Sequence, residues 1–296
     1  MKKAIFALLH ATRVIKLVSW LNRKQVPIVC YHSVTEARID SDPHKQHIPR
    51  QLFLEHLDYL QQQYNVVSLS DYLAARREKR RLPDKSVVLT FDDGFEDFFA
   101  VVAPQLRERK LPATVFVITE RAEGKFIPNG ESFLNWSEIQ ALAAQGVDIG
   151  SHTCSHSNLT EMSPSEATKE LRESYERLES RVGRSQLALS YPFGQMSESI
   201  AGLAESVGYS CAIANDYGLN SDTTNLFKLS RTVIASDDDV ATFSARVAGL
   251  TWWISKCRQL LRSDNNVSGL SSFAPNYGPP APETYPAKSC IEQASS

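Results

Sequence analysis

From Pro27 onward the chain repeats one pattern: a short apolar run, a stretch with helical spacing, then another short apolar run. Strands separated by helices cannot close as tight hairpins, so they join as βα units, and such units build a parallel sheet or barrel wrapped in helices. Strands are expected at 28–31, 65–69, 86–91, 113–118, 148–151, 187–191 and 210–214. Helices are expected at 52–62, 71–80, 96–109, 137–145, 164–182 and 197–206. Seven strands in roughly 220 residues suit one barrel-like α/β domain. The 42% hydrophobic content of the 296 residues supplies a core of that size and excludes disorder throughout. Collagen and a multi-span membrane protein are excluded as well.

The formal net charge of −2 gives no basic excess for a nucleic-acid partner, but it hides an asymmetry. Residues 1–35 carry Lys2, Lys3, Arg13, Lys16, Arg23 and Lys24 and no acid, so this end is +6 and the remainder is −8. The apolar run 4–9 is cut short by His10 and Arg13 and no small-residue cleavage site follows, which argues against a cleaved signal peptide. Ile5, Leu8, Leu9, Val14, Ile15, Leu17, Val18 and Leu21, with cations between them, instead predict an amphipathic helix over 1–25. It either touches an anionic membrane peripherally or packs on the domain with a solvated basic face. No stretch has eighteen consecutive apolar residues, so no spanning helix is expected. Five widely spaced cysteines, Cys30, Cys154, Cys211, Cys257 and Cys290, form an odd set without a CxxC pair and point to free thiols in a reducing compartment. The chain is therefore expected in the cytoplasm or peripheral to the cytoplasmic membrane. The catalytic domain is placed at 26–250, and 251–296 is read as a C-terminal helix and a disordered Pro/Ser-rich tail.

The chemistry-bearing residues sit where apolar runs end. Val87-Val88-Leu89-Thr90-Phe91 runs into Asp92-Asp93-Gly94, and adjacent carboxylates at a strand end repel unless a cation or a proton answers them. Asp148-Ile149-Gly150-Ser151 runs into His152-Thr153-Cys154-Ser155-His156, whose two imidazoles could converge on one cation if the backbone curls. Two His and one Asp make the open, three-ligand set of a catalytic zinc centre. A third run enters Tyr191-Pro192-Phe193-Gly194, and a fourth, Ile28-Val29-Cys30-Tyr31, ends at His32. His10, His44, His47 and His56 lie on expected helix or loop and receive no role. The basic cluster 76–81 reads as a solvated helix end, and Asp237 to Asp239 as a helix start.

Thr90-Phe91-Asp92-Asp93-Gly94 and Ser151-His152-Thr153-Cys154-Ser155-His156 resemble the first two motifs of the polysaccharide deacetylases with a NodB-homology domain, carbohydrate esterase family 4. The resemblance extends over about residues 26–250. It implies a distorted (β/α)7 barrel, Asp92 as general base, and Asp93, His152 and His156 as ligands of a divalent metal, usually Zn2+. It also implies a backbone N–H of Phe193 facing the oxyanion. Three departures stand out. Ser190 replaces the arginine of the family's third motif, leaving Arg231 as a substitute from a later strand end. No histidine follows His156, so the usual C-terminal His acid is absent. The run ending at His32 is similar to that missing motif moved to the front, as in the deacetylases of poly-N-acetylglucosamine, and makes His32 the candidate acid. Asp216 is the candidate for the remaining aspartate motif. The resemblance implies metal-dependent removal of N-acetyl groups from amino sugars of a bacterial-type glycan, in exopolysaccharide biosynthesis. An O-acetyl esterase and a catalytically silent glycan-binding barrel are the rival readings.

Overall fold

The structure is a computed structural model that describes residues 6, 8–10, 12–39, 42–124, 131–183 and 187–254. In chain order its strands are β1 (Ile28–Tyr31), β2 (Ser33–Thr35), β3 (His47–Pro49), β4 (Asn65–Val67), β5 (Ser86–Phe91), β6 (Thr114–Val117), β7 (Asp148–Ser151), β8 (Ala188–Ser190), β9 (Cys211–Ala214), β10 (Leu229–Ser230) and β11 (Thr232–Val233). The helices are α1 (Val14–Leu21), α2 (Arg50–Gln63), α3 (Leu69–Arg77), α4 (Ala103–Arg109), α5 (Trp136–Ala144), α6 (Pro164–Val182), α7 (Glu198–Val207) and α8 (Val240–Val247). All seven expected strands form, and α5, α6 and α7 lie within two residues of expectation.

The main sheet is parallel throughout, in the order β10-β9-β8-β7-β6-β5-β1-β11, with β4 as a further partner of β5. β4 pairs along residues 86–88 of β5 and β6 along 90–91, so the two share one edge in succession. The outermost members, β10 and β11, are consecutive in the chain and separated only by Arg231. One segment thus supplies both ends of the sheet, and the result is a nearly closed eight-stranded barrel in a single domain.

Strand alternation divides the core in two. Ile28, Val88, Phe116, Ala188, Cys211, Ile213 and Leu229 form a cluster that fills the lumen, closed at the lower end by Leu69, Tyr72 and Leu73 of α3. Their neighbours Val29, Leu89, Val115, Ile149, Leu189 and Ala212 face outward into the larger cluster beneath the helices. Gly150 belongs to the lumen face, where a Cβ would lie 2.5 Å from the Phe116 ring.

The helices start where their sequences say. Ser163 and Glu166 form a reciprocal capping box ahead of Pro164, and Gly183 ends α6 in the left-handed region. Asp239 caps α8, as the acidic run predicted. The expected helix 96–109 instead opens with a π-helical turn, Phe98–Val102, before α4. Pro104 has no N–H for the carbonyl of Ala100, and the wider turn lies where an α-helical hydrogen bond would be lost. At the amino end, Ile15 of α1 packs on Ala245 and Ala248 beside α8, and Asn22 donates to the Ala248 carbonyl at 2.8 Å. Cys30, Cys154 and Cys211 are buried free thiols. The expectations for 255–296, including Cys257 and Cys290, fall outside the described residues, and no described helix is long and apolar enough to cross a membrane.

Candidate metal centre and its base

The same alternation that fills the lumen aims the functional side chains. On β1 and β5 the inward positions are even, and the register sets Ile28 opposite Val88 and Cys30 opposite Thr90. One step further, His32 and Asp92 meet at the upper rim. Inward parity on β7 and β8 delivers His152 and Ser190, and on the last strands Asn215 and Arg231. The rim is thus built by six separate stretches, the ends of β1, β5, β7, β8, β9 and β10, whose apolar portions lock their register.

Asp92 and Asp93 part company at this rim. Asp92 is 1% exposed and clamped by Arg231, with Nη1 donating to Oδ1 at 2.7 Å and Nη2 lying 2.6 Å from Oδ2. The Ser190 hydroxyl donates to Oδ2 at 3.2 Å. Burial alone would raise the Asp92 pKa, but the guanidinium of Arg231 holds it well below the usual carboxylate range. Arg231 is buried too, and Asp92 keeps it charged against that burial. Asn215 accepts a hydrogen bond from Arg231 Nε. Gly194 makes room for Asn215, since a Cβ on Gly194 would stand 2.2 Å from the Asn215 Cβ. Arg231 thus reaches Asp92 from the barrel seam, and Ser190, at the third-motif position, is a partner of the same carboxylate.

Asp93, in the left-handed region at φ 69°, turns the other way. Its Oδ1 lies 3.5 Å from His152 Nε2 and 3.5 Å from His156 Nε2, and the three ligand atoms are mutually within 4.8 Å. Burial pushes His152 down to about 4 and His156 to about 3, so both imidazoles are neutral and offer lone pairs at ordinary pH. His152 Nδ1 lies 2.8 Å from the Ser190 carbonyl, which can only accept, and this fixes the tautomer that leaves Nε2 free for a cation. One carboxylate, two neutral imidazoles and an oriented tautomer fit a divalent metal such as zinc.

The loop that brings His156 back to His152 is not helical. Thr153 and His156 both sit at positive φ, 66° and 67°, and Glu170 of α6 accepts from the Ser155 N–H at 2.5 Å and from its hydroxyl at 2.8 Å. With Asp93 and Phe193 (φ 57°), four non-glycine residues in this sparsely populated region surround the rim. The Phe193 ring packs edge-on against His156 at 4.7 Å.

His32 is half-buried, with a ring nitrogen within 4.8 Å of an Asp92 oxygen and of Cys30 Sγ. In that second cluster Asp92 is bonded directly to the fixed cation of Arg231. The segment after His32 is pinned by Asp97, whose Oδ2 accepts from the Ser33 hydroxyl and, at 2.7 Å, from the Val34 N–H. Burial pushes the Asp97 carboxyl up to about 6. Asp216 does not join the site: it accepts from the Ser230 hydroxyl and the Gly218 N–H. His56 is a core histidine, stacked on Phe243 at 4.0 Å, with Nε2 2.8 Å from the Asp238 carbonyl. Asn215, Glu170 and Asp97 escape a reading by motifs because each acts by holding a neighbour rather than by carrying a recognisable pattern.

Residues 79–212 match the family model for polysaccharide deacetylase. A Bacillus subtilis (strain 168) protein named as a polysaccharide deacetylase is 24% identical over 236 residues, covering 78% of this chain and 80% of its own. The poly-β-1,6-N-acetyl-D-glucosamine N-deacetylase of Staphylococcus aureus is 26% identical over 180 residues, 58% of this chain and 61% of that one. The chain thus spans about three-fifths of the staphylococcal enzyme. Among solved structures, the Streptococcus pyogenes deacetylase PplD superposes with a TM-score of 0.67 at 23% identity, covering 75% of this chain and 98% of PplD, which is a likeness of fold.

Proposed function

We propose that the chain, whose residues 79–212 match the family model for polysaccharide deacetylase, hydrolyses carbon–nitrogen bonds other than peptide bonds and removes N-acetyl groups from an N-acetylglucosamine-type glycan, in exopolysaccharide synthesis. The observation that carries this reading is the division at Asp92-Asp93, where one carboxylate is paired to a built-in cation and its neighbour to two neutral imidazoles. The staphylococcal relative, named for poly-β-1,6-N-acetyl-D-glucosamine, supports the choice of substrate class.

Asp93, His152 and His156 would hold a divalent metal, zinc by the chemistry of the donors, and once bound it would polarise the acetyl carbonyl and acidify water. Asp92 stays ionised at any working pH and takes the proton from water as its oxygen attacks the acetyl carbon. Arg231 and Asn215 keep the carboxylate aimed. The Phe193 N–H faces the oxygen that gains charge. His32 delivers a proton to the sugar nitrogen as the carbon–nitrogen bond breaks, releasing acetate and the free amine.

The test is acetate and amine release by the zinc-loaded chain from oligomers of β-1,6-N-acetylglucosamine, with acetylated xylan in parallel. Release from the amino sugar alone is expected, and His32→Ala should lose about 10²- to 10⁴-fold in rate while keeping its metal. Release from xylan alone would make the protein an O-acetyl esterase. Metal binding without release from either would make it a silent barrel.

A further inference from the structure

Helix α1 is apolar on two opposite faces. Ile15 and Val18 turn toward the barrel and pack with Ala245, Ala248 and Leu250, and Ser19 on the same side accepts from the Tyr64 hydroxyl at 3.0 Å. At about 100° per residue, Leu17, Trp20 and Leu21 fall together on the other side. They stand in solvent, 57%, 53% and 62% exposed. Among the described residues six large apolar side chains are exposed, and five of them, Leu8, Leu17, Trp20, Leu21 and Trp253, belong to α1, the turn before it or the helical turn after α8. A helix that only covered the barrel would carry polar residues outward. Cations border the apolar stripe instead: Arg13 and Lys16 beside it and Lys24 just beyond, all exposed, in a segment with no acid.

The surroundings extend the positive charge. Past α1, the Arg23 carbonyl accepts from the Lys85 N–H at 2.6 Å and its guanidinium pairs with Asp84 at 3.1 Å, which joins α1 to the connector that carries exposed Lys79 and Arg81. This places the stripe at the amino-terminal end of the barrel strands, opposite the rim of Asp92 and His152.

We propose that this face is a membrane-docking surface, with Leu17, Trp20 and Leu21 entering the interface of an anionic bilayer and the flanking cations meeting its headgroups. Charge argues for this occupant. A second copy docked on the same stripe about a two-fold axis would bring the cations that border it, Arg13, Lys16 and Lys24, toward those of its partner with no acid of the stripe between them. Docked this way, the protein turns its catalytic rim away from the bilayer, toward a polymer in solution.

Flotation of the full chain with phosphatidylcholine vesicles, with and without 30% phosphatidylglycerol, tests the proposal at 0.1 and 0.5 M salt. The chain is expected to float with the anionic vesicles only, to lose roughly tenfold in bound fraction at the higher salt, and to lose at least about tenfold when Leu17→Glu and Leu21→Glu are combined. Both positions are exposed, so thermal melting of the double variant should match the parent. No flotation, equal flotation with neutral vesicles, or full retention by the double variant would overturn the proposal. So would a concentration-dependent dimer in light scattering that the double variant abolishes, since the face would then belong to a second copy.

Discussion

Asp92 and Asp93 are adjacent in sequence, share a strand end and are both buried, yet they live in opposite electrostatic settings. Asp92 meets a cation made of protein, delivered by the last strand of the barrel. Asp93 instead lies against two imidazoles that burial keeps neutral, one of which, His152, also reaches Asp92 at 3.4 Å, and no salt bridge joins Asp93 to an arginine or lysine among the described residues. A built-in cation keeps a carboxylate ionised and oriented for proton transfer, whereas a carboxylate left among neutral donors makes a site for an external cation. The pair shows how one dipeptide can serve two roles when the third dimension, rather than the local sequence, assigns the partners.

The largest blow to this comparison should come from the external-cation side. His152→Ala is expected to lose bound zinc and, with it, several kcal/mol of transition-state stabilisation, on the order of 10³-fold or more in rate. Metal analysis alongside turnover reads this directly, and a variant with full zinc content would end the assignment. Next comes Asp92→Asn, expected to cost about 10² to 10⁴ in rate with zinc content unchanged. If that substitution emptied the site as His152→Ala does, the two carboxylates would not be divided as described.

Arg231→Met sharpens the built-in side. Leaving Asp92 buried without its cation should cost about 3–5 kcal/mol of stability, measured by denaturant unfolding near neutral pH. The sign in pH follows from the shift. Asp92 is depressed in the folded protein, so the stability it contributes is present above its unfolded pKa and lost as pH falls through the folded value. Without Arg231, burial pushes the carboxyl up, and the acid limb of the rate profile should move to higher pH. A profile that stayed in place would show that Arg231 does not govern the base. The smallest effect belongs to Ser190→Ala, which removes one hydroxyl from Asp92 but keeps the carbonyl that orients His152. About 0.5–1.5 kcal/mol, roughly threefold to tenfold in rate, is expected, again without metal loss.

Legibility in the sequence followed length and period. The bounds of β5, β7 and α6 could be read directly, because the run Val87-Val88-Leu89-Thr90-Phe91 ahead of two aspartates, a strand ending in Gly150-Ser151, and a nineteen-residue helix with a capping box and a terminal glycine each carry several agreeing signals. β2, β3, β10 and β11 have three residues or fewer, too few for an alternation to show, and exist because neighbouring strands offer them partners. The site divides in the same way. Asp93, His152 and His156 lie on two compact motifs, and Asp92 with them. Arg231 was visible only as a residue near a later strand end, and its bond to Asp92 spans 139 positions. Asn215 gave no signal, since an asparagine after a strand reads as turn chemistry and its function depends on the space left by Gly194.

That span has a consequence for how the protein comes into being. Ser230 and Thr232 flank an arginine that must reach across the closing seam, so Asp92 leaves the ribosome long before its cation exists. Until the final segment inserts between β9 and β1, burying Asp92 would leave its charge without a counter-ion, so the nascent barrel has a reason to stay open and hydrated. Closure and competence therefore arrive in one event. For this chain, the first turnover would be a clock for the last step of folding, slow in the way that pairings between distant parts of a chain are slow.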